Sequence, residues 1–244
     1  MRLLIDAGNS RLKWRLDQGG QILGQGVGTL DESDPVSGLP VDASQITSVA
    51  VSTVASEEKR LGLVAFLSAR TGAPVRFHWS ESRRGGLVNA YADPHKMGAD
   101  RWHAMYAAWR SLKGGFVVVD AGSAVTVDYV ASTGDHLGGF ILPGLHMMLR
   151  SLKTDAARIG FDPDQVLDTR PGESTGECVN HGLAWLSAAM VDRIHGDVRT
   201  HGLDHIVVTG GDADRLLGLG LSAMNRPQLV LEGLALIDDE EQAK

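Results

Sequence analysis

A short apolar run delivers the chain into Asp-Ala-Gly and a small polar residue twice, as LLIDAGNS at residues 3–10 and as VVVDAGSA at residues 117–124. The two aspartates, Asp6 and Asp120, stand almost half the chain apart. Around each copy, segments with the period of a strand alternate with segments with the period of a helix, so the repeat marks two α/β halves of similar plan. Two such lobes facing each other across a central cleft are the architecture to expect.

In the first half, residues 3–5 and 12–16 predict two strands around the turn, and QILGQGVGTL (21–30) predicts a third, ended by the acidic loop DESDP. ITSVAVSTVA (46–55) reads as a buried strand, EEKRLGLVAFLSART (57–71) as a helix stopped by Gly72, and PVRFHW (74–79) as another strand. The stretch SRRGGLVNAYADPHKMGAD (82–100) is expected to be loop. From Arg101 onward Trp102, Met105, Tyr106, Trp109 and Leu112 recur at helical steps until Lys113-Gly114-Gly115. The second half begins again. FVVVDAGSAVTVDYV gives strand, turn and strand, and HLGGFILPGLHMMLRSL runs through Pro143-Gly144 into a helix. A long helix over 176–195, the strand, glycine turn and helix of HIVVTGGDADRL, and the closing LVLEGLALID follow. The lobes are expected at 1–114 and 115–244.

Charge and cysteine usage exclude several functions. A net charge of -7 gives nucleic acid no basic stripe with which to displace counterions, and Arg83-Arg84 read as a solvated loop. Cys178 is the only cysteine, so neither an internal disulfide nor a multi-cysteine zinc site is available, which suits a reducing cytoplasm. No apolar run approaches the roughly 18 residues of a membrane span, and the N-terminal apolar stretch is too short for a signal peptide. The pair His201 and His205 leads into a strand and brings no third ligand, so these read as surface histidines. Met147, Met148 and the helical tryptophans read as core.

A carboxylate at a strand end, followed by glycine and a small polar residue, aims charge and backbone N–H groups at one point, and phosphates and metal ions are the usual guests. Gly8 permits close approach, Asn9 and Ser10 donate, and Lys13 reaches the same anion. Asp6, itself negative, needs a cation between it and any phosphate. Asp120, Gly122 and Ser123 supply the same parts in the second copy. Either turn alone also reads as an ordinary Asx or serine turn. Gly210-Gly211 adds a third glycine turn suited to packing against a base or ribose. With neither GxGxxG nor GxxxxGK[ST] present, a nucleotide held between two lobes by paired Asp-Gly turns is the economical reading. Asp100, before an amphipathic helix, has two readings: an N-cap that satisfies free amides, or a general base beside Arg101, whose guanidinium would hold an anionic substrate group.

Taken in order, DAGNSRLK (6–13), NAYADPHKMGADRW (89–102), DAGSAVTVD (120–128), GGFILPGLHMM (138–148), TGGDA (209–213) and the terminal LVLEGL resemble the type III pantothenate kinase family over nearly the whole chain. The resemblance implies two ribonuclease-H-like lobes of the actin-like ATPase (sugar kinase and Hsp70) superfamily, and ATP-dependent phosphorylation of pantothenate to 4′-phosphopantothenate, the entry step of coenzyme A synthesis. It implies that Asp6, Ala7, Gly8, Asn9, Ser10, Arg11, Leu12 and Lys13 cradle the phosphates of ATP with Mg2+, and that Ser123 also touches ATP. It further implies K+ or NH4+ at Asp120, and pantothenate on Tyr91, Gly98, Ala99, Asp100, Arg101 and Thr175, with Asp100 as base. Ser10 and Ser123 stand where threonine is commoner in the family, and both keep the hydroxyl. A homodimer is implied as well, its candidate contact running through Thr175 and the stripe Leu183, Leu186, Met190 and Ile194, which would equally suit a helix packed in its own core. The same family carries the name Bvg accessory factor, so a regulatory role without kinase activity is the alternative, as is a kinase for another small hydroxylated substrate.

Overall fold

The computed structural model describes residues 1–9, 11–155 and 168–244. Its strands are β1 (Arg2–Ala7), β2 (Leu12–Gln18), β3 (Gln21–Gly28), β4 (Ser48–Thr53), β5 (Val75–Phe77), β6 (Arg83–Arg84), β7 (Leu87–Val88), β8 (Phe116–Ala121), β9 (Ala124–Val130), β10 (His136–Pro143), β11 (His205–Thr209) and β12 (Met224–Asn225). Its helices are α1 (Glu57–Thr71), α2 (Ala99–Ser111), α3 (Leu145–Asp155), α4 (Thr175–His201), α5 (Ala213–Gly218) and α6 (Leu229–Gln242). Two compact units form, Met1–Leu112 with Gln228–Lys244, and Lys113–Pro227. Among the described residues no helix is long and apolar enough to cross a membrane.

The first unit is built on a five-stranded sheet of order β3-β2-β1-β4-β5. The hairpin strands β1, β2 and β3 pair antiparallel, whereas β4 and β5 join parallel to β1. Strand alternation gives each face its own core. Leu3, Ile5, Ala7, Leu12, Trp14 and Leu16 pack with Leu63 and Leu67 of α1. Leu4 and Ala50 turn the other way, onto Leu231, Leu234 and Ala235 of α6. Helix α1 starts where Ser56 accepts from the Lys59 N–H, with Glu57 and Glu58 set against the positive end of the helix, and stops at Gly72 with φ 61°.

Sequence order assigns α6 to the second half, but it packs in the first unit. Its Asp238 is fully buried and accepts from Arg76 at 2.9 and 3.1 Å and from Arg2 at 3.1 Å, with His78 Nε2 at 3.0 Å. Three basic or titratable partners on distant segments thus tie the chain end back to β1 and β5. The expected loop at 82–100 holds the β6–β7 hairpin, because Gly85 and Gly86 adopt φ 53° and 93° and make a two-residue turn of primed type. Arg84, expected to be solvated, donates instead to Glu81, Glu240 and Glu241.

The second unit repeats the sheet with order β10-β9-β8-β11-β12, again antiparallel through its first three strands and parallel through the rest. Val117, Val119, Ala121, Val125 and Val127 face Val191 and Ile194 of α4 and Leu216 of α5. Helix α4 extends to His201, six residues past the expected end, and Gly202 closes it at φ 61°. Met147, expected in the core, is 40% exposed on α3. His205 Nε2 meets the Lys113 carbonyl at 2.8 Å, and the described residues contain no cluster of three metal-ligating side chains.

Candidate active site

In the first unit the Asp-Gly turn is the four-residue connection between β1 and β2. Gly8 N–H donates to the Arg11 carbonyl at 3.0 Å, so this amide closes the turn itself, and an anion must be met by other groups of the loop. Asp6 and Lys13 are cross-strand partners and therefore share a face, the one that carries Leu4 and Ala50. Ala7 and Leu12 are fully buried on the opposite face, so only their main chain is available to a ligand. Asn9 and Arg11 are exposed, and Ser10 lies outside the described residues. The Thr53 hydroxyl and the Val54 N–H both donate to the Ala7 carbonyl, at 3.0 and 3.2 Å, which anchors the root of the turn to β4.

Helix α2 packs on the same face, against β4 and α6. Its N-cap is Gly98, and Asp100 sits inside the first turn, where its Oδ1 accepts from the Arg101 N–H at 2.8 Å. The capping reading of Asp100 is thereby corrected: the carboxylate stands two positions inside the N-cap, although it still lies at the positive end of the helix. A Cβ on Gly98 would come 2.5 Å from Asp100 Oδ1 and 3.3 Å from Val54 Cγ1, so only glycine leaves room for the carboxylate as placed. Arg101 is buried, and its guanidinium donates to the Tyr91 hydroxyl at 2.9 Å while lying 5.7 Å from the centre of that ring. Ala99 is buried and can offer a ligand only its backbone.

The loop carrying Tyr91 is held by residues that the motif reading passes over. Asn89 accepts from the Tyr91 N–H at 2.9 Å and donates to the Glu81 carbonyl at 3.1 Å. The Ser80 hydroxyl lies 2.7 Å from the Pro94 carbonyl and 2.9 Å from that of Met97, just ahead of Gly98. Both are buried polar side chains, the sort of residue that a propensity reading treats as surface. Tyr91, Gly98, Asp100 and Arg101 are thus gathered at one end of α2.

In the second unit the turn between β8 and β9 has two residues, closed by Gly122 N–H on the Ala124 carbonyl at 3.0 Å. Two further glycine motifs clasp it. Gly144 N–H donates to the Ser123 carbonyl at 3.1 Å, and a Cβ there would strike the Gly122 and Ser123 carbonyls at 2.4 and 2.5 Å. Gly210, at φ 96°, sits so close that a Cβ would lie 2.6 Å from Asp120 Oδ1. Beside Asp120 in the parallel register is Thr209, whose buried Oγ1 has no hydrogen-bond partner. A carboxylate, a spare hydroxyl and crowded carbonyls are the all-oxygen donor set that hard cations take. Ser123 is exposed at the tip of the turn.

Thr175 opens α4 in the second unit and is exposed; Ser174 caps the helix by accepting from the Glu177 N–H at 3.2 Å. Of the stripe on α4, Leu183 and Ile194 enter the core of the unit, whereas Leu186 is 48% exposed.

Two units that repeat one mixed five-stranded sheet, each with an Asp-Ala-Gly hairpin after its first strand, define the actin-like ATPase fold that sugar kinases share. Two solved structures share this fold. One is a Campylobacter jejuni protein assigned to the Baf family of transcriptional activators, at TM-score 0.60 and 22% identity, covering 99% of this chain and 100% of that one. The other is the activator of 2-hydroxyisocaproyl-CoA dehydratase from Clostridium difficile, at TM-score 0.55 and 10% identity, covering 99% and 96%. The chain belongs to the type III pantothenate kinase family, whose model matches residues 2–197. The type III pantothenate kinase of Marinobacter nauticus is 58% identical over 237 residues, which span 97% of this chain and 98% of that protein. The protein is accordingly a kinase that phosphorylates pantothenate in coenzyme A biosynthesis.

Proposed function

We propose that Asp100 is the general base and Arg101, with Tyr91, the carboxylate clamp for pantothenate in an ATP-dependent transfer to its primary 4′-hydroxyl. The observation that carries this reading is the first turn of α2, where a carboxylate kept clear by Gly98 adjoins a buried guanidinium stacked on a tyrosine. In the step proposed, the substrate hydroxyl oxygen bonds to the γ-phosphorus, the bond from that phosphorus to the β-bridging oxygen breaks, ADP leaves, and the hydroxyl proton passes to Asp100. Such transfers depend on positioning and charge neutralisation more than on covalent help from the protein. Arg101 suits the carboxylate end of the substrate because a guanidinium offers paired donors.

In the same reading the loop from Asp6 to Lys13, with Ser10, and Ser123 of the second turn would meet the phosphates, and Asp6 would hold Mg2+, which when bound would offset their charge. Asp120 and the Thr209 hydroxyl would hold a monovalent cation, K+ or NH4+, which lowers repulsion between that carboxylate and the transferring group when bound. Thr175 would contact pantothenate. Dimerisation is supported by the apolar surface of the second unit, where Phe140 and Ile141 of β10 and Trp185 of α4 are 54%, 63% and 61% exposed. Mass spectrometry of a reaction with ATP, Mg2+ and pantothenate tests the reading. The expected product is 4′-phosphopantothenate, with none from an analogue lacking the 4′-hydroxyl; phosphorylation of a sugar in preference to pantothenate would refute it.

A further inference from the structure

Two structural features converge on His103 of α2, three residues beyond Asp100. Its backbone carbonyl is pressed against Gly233 of α6, where a Cβ would lie 1.9 Å from the oxygen. Glycine inside a helix is less favourable than alanine, so its use in the middle of α6 signals a close approach that no side chain permits. On the other side the His103 imidazole, fully buried, meets the Ser52 hydroxyl at 2.8 Å through Nδ1. Ser52 is in turn the parallel partner of Asp6, which places it at the root of the first Asp-Gly turn.

A histidine is a costly filler for this site. Its Nε2 is buried and has no hydrogen-bond partner, a desolvation cost that leucine would avoid. Burial pushes the imidazole down to about 3, with lesser contributions from the charges of His78 and Arg84, so the ring is neutral at working pH and makes no ion pair. What the ring provides is one directed hydrogen bond from α2 to β4.

We propose that Gly233 and His103 are positioning residues for the reaction: the glycine seat under the His103 carbonyl and the His103–Ser52 hydrogen bond together fix the first turn of α2, and with it the Asp100 carboxylate and the Arg101 guanidinium. The seat sets the distance of α2 from α6, and the hydrogen bond sets its rotation and height over β4. This inference rests on the assignment of Asp100 as the base.

The test compares Gly233→Ala, His103→Leu and His103→Asn with Gly62→Ala, a helical glycine of α1 whose added Cβ would meet nothing within 4 Å. Gly233→Ala is expected to lower kcat/KM for pantothenate by about tenfold to a hundredfold, as displacements near 1 Å do, while KM for ATP stays within about twofold. His103→Leu should lose about tenfold, and His103→Asn, whose amide nitrogen falls where Nδ1 was, should recover most of it. Gly62→Ala should match wild type. In an Asp100→Asn background the seat variants should cost distinctly less, because the part of their effect that runs through Asp100 is already gone and only that through Arg101 remains. If Gly233→Ala does not fold, the His103 pair decides. Wild-type turnover in His103→Leu, or equal losses with and without Asp100, would overturn the proposal. Near-normal turnover in Asp100→Asn alone would instead overturn the assignment of the base.

Discussion

The Arg101 guanidinium donates to the Tyr91 hydroxyl at 2.9 Å and lies over the same ring, so one side chain fixes both the position and the plane of the other. Lysine cannot reproduce a planar, stacked donor set. Arg101→Lys is therefore expected to raise KM for pantothenate by about tenfold to a hundredfold, the worth of a charge-assisted hydrogen bond, with KM for ATP little changed. Steady-state kinetics with each substrate varied in turn check this. An unchanged pantothenate KM would remove Arg101 from the substrate clamp.

Gly98 has ordinary backbone angles, φ -59° and ψ 133°, so alanine there strains no torsion. Its methyl would instead meet Asp100 Oδ1 at 2.5 Å. Gly98→Ala should therefore lower kcat by about a hundredfold through displacement of one carboxylate, with a melting temperature close to wild type. A large fall in melting temperature with normal specific activity would show that Gly98 matters for packing alone.

Gly210 combines φ 96° with a hypothetical Cβ 2.6 Å from Asp120 Oδ1 and 2.3 Å from the Ala121 carbonyl. Gly210→Ala is expected to lose about 1–3 kcal/mol of stability from the backbone and to flatten any stimulation by potassium over sodium at constant ionic strength. Urea denaturation and the two-salt assay read these separately. A full potassium response in this variant would place the cation away from Asp120.

The buried His103 gives stability a definite pH dependence. Its folded value, about 3, lies below the ordinary value of about 6.5, so the folded state binds this proton less readily than the unfolded state. The contribution is complete above about pH 6.5 and declines as pH falls, by up to about 1.4 kcal/mol per unit. Denaturation curves at pH 7.5, 6 and 5 should show wild type losing more stability than His103→Asn. Parallel losses would mean that the imidazole takes up its proton without unfolding.

The duplicated plan was legible because Asp6 and Asp120 occur in the same strand-turn context, and the strand orders of the two units repeat that symmetry. Tyr91 and Arg101 were legible as a motif, but their contact was not, since nothing in sequence spacing reports that a loop folds back over a helix start. Asp100 shows the limit of boundary reading. The helix begins two residues earlier than the apolar period indicates, and that shift turns a cap into a side chain of the first turn. The Gly85-Gly86 pair did carry a hairpin signal, masked by the polar residues around it. The return of α6 to the first unit is a long-range event, fixed by Asp238 finding Arg2, Arg76 and His78. No local pattern encodes it.

The most direct test of the account is ADP release by Asp100→Asn with saturating ATP, Mg2+, potassium and pantothenate, alongside its melting temperature. Asparagine keeps the size of the side chain and an oxygen able to accept from the Arg101 N–H, but it is a far weaker proton acceptor. The account predicts a melting temperature close to wild type and a kcat lowered by about 10²- to 10⁴-fold. A folded variant whose kcat stays within a few-fold of wild type would contradict it.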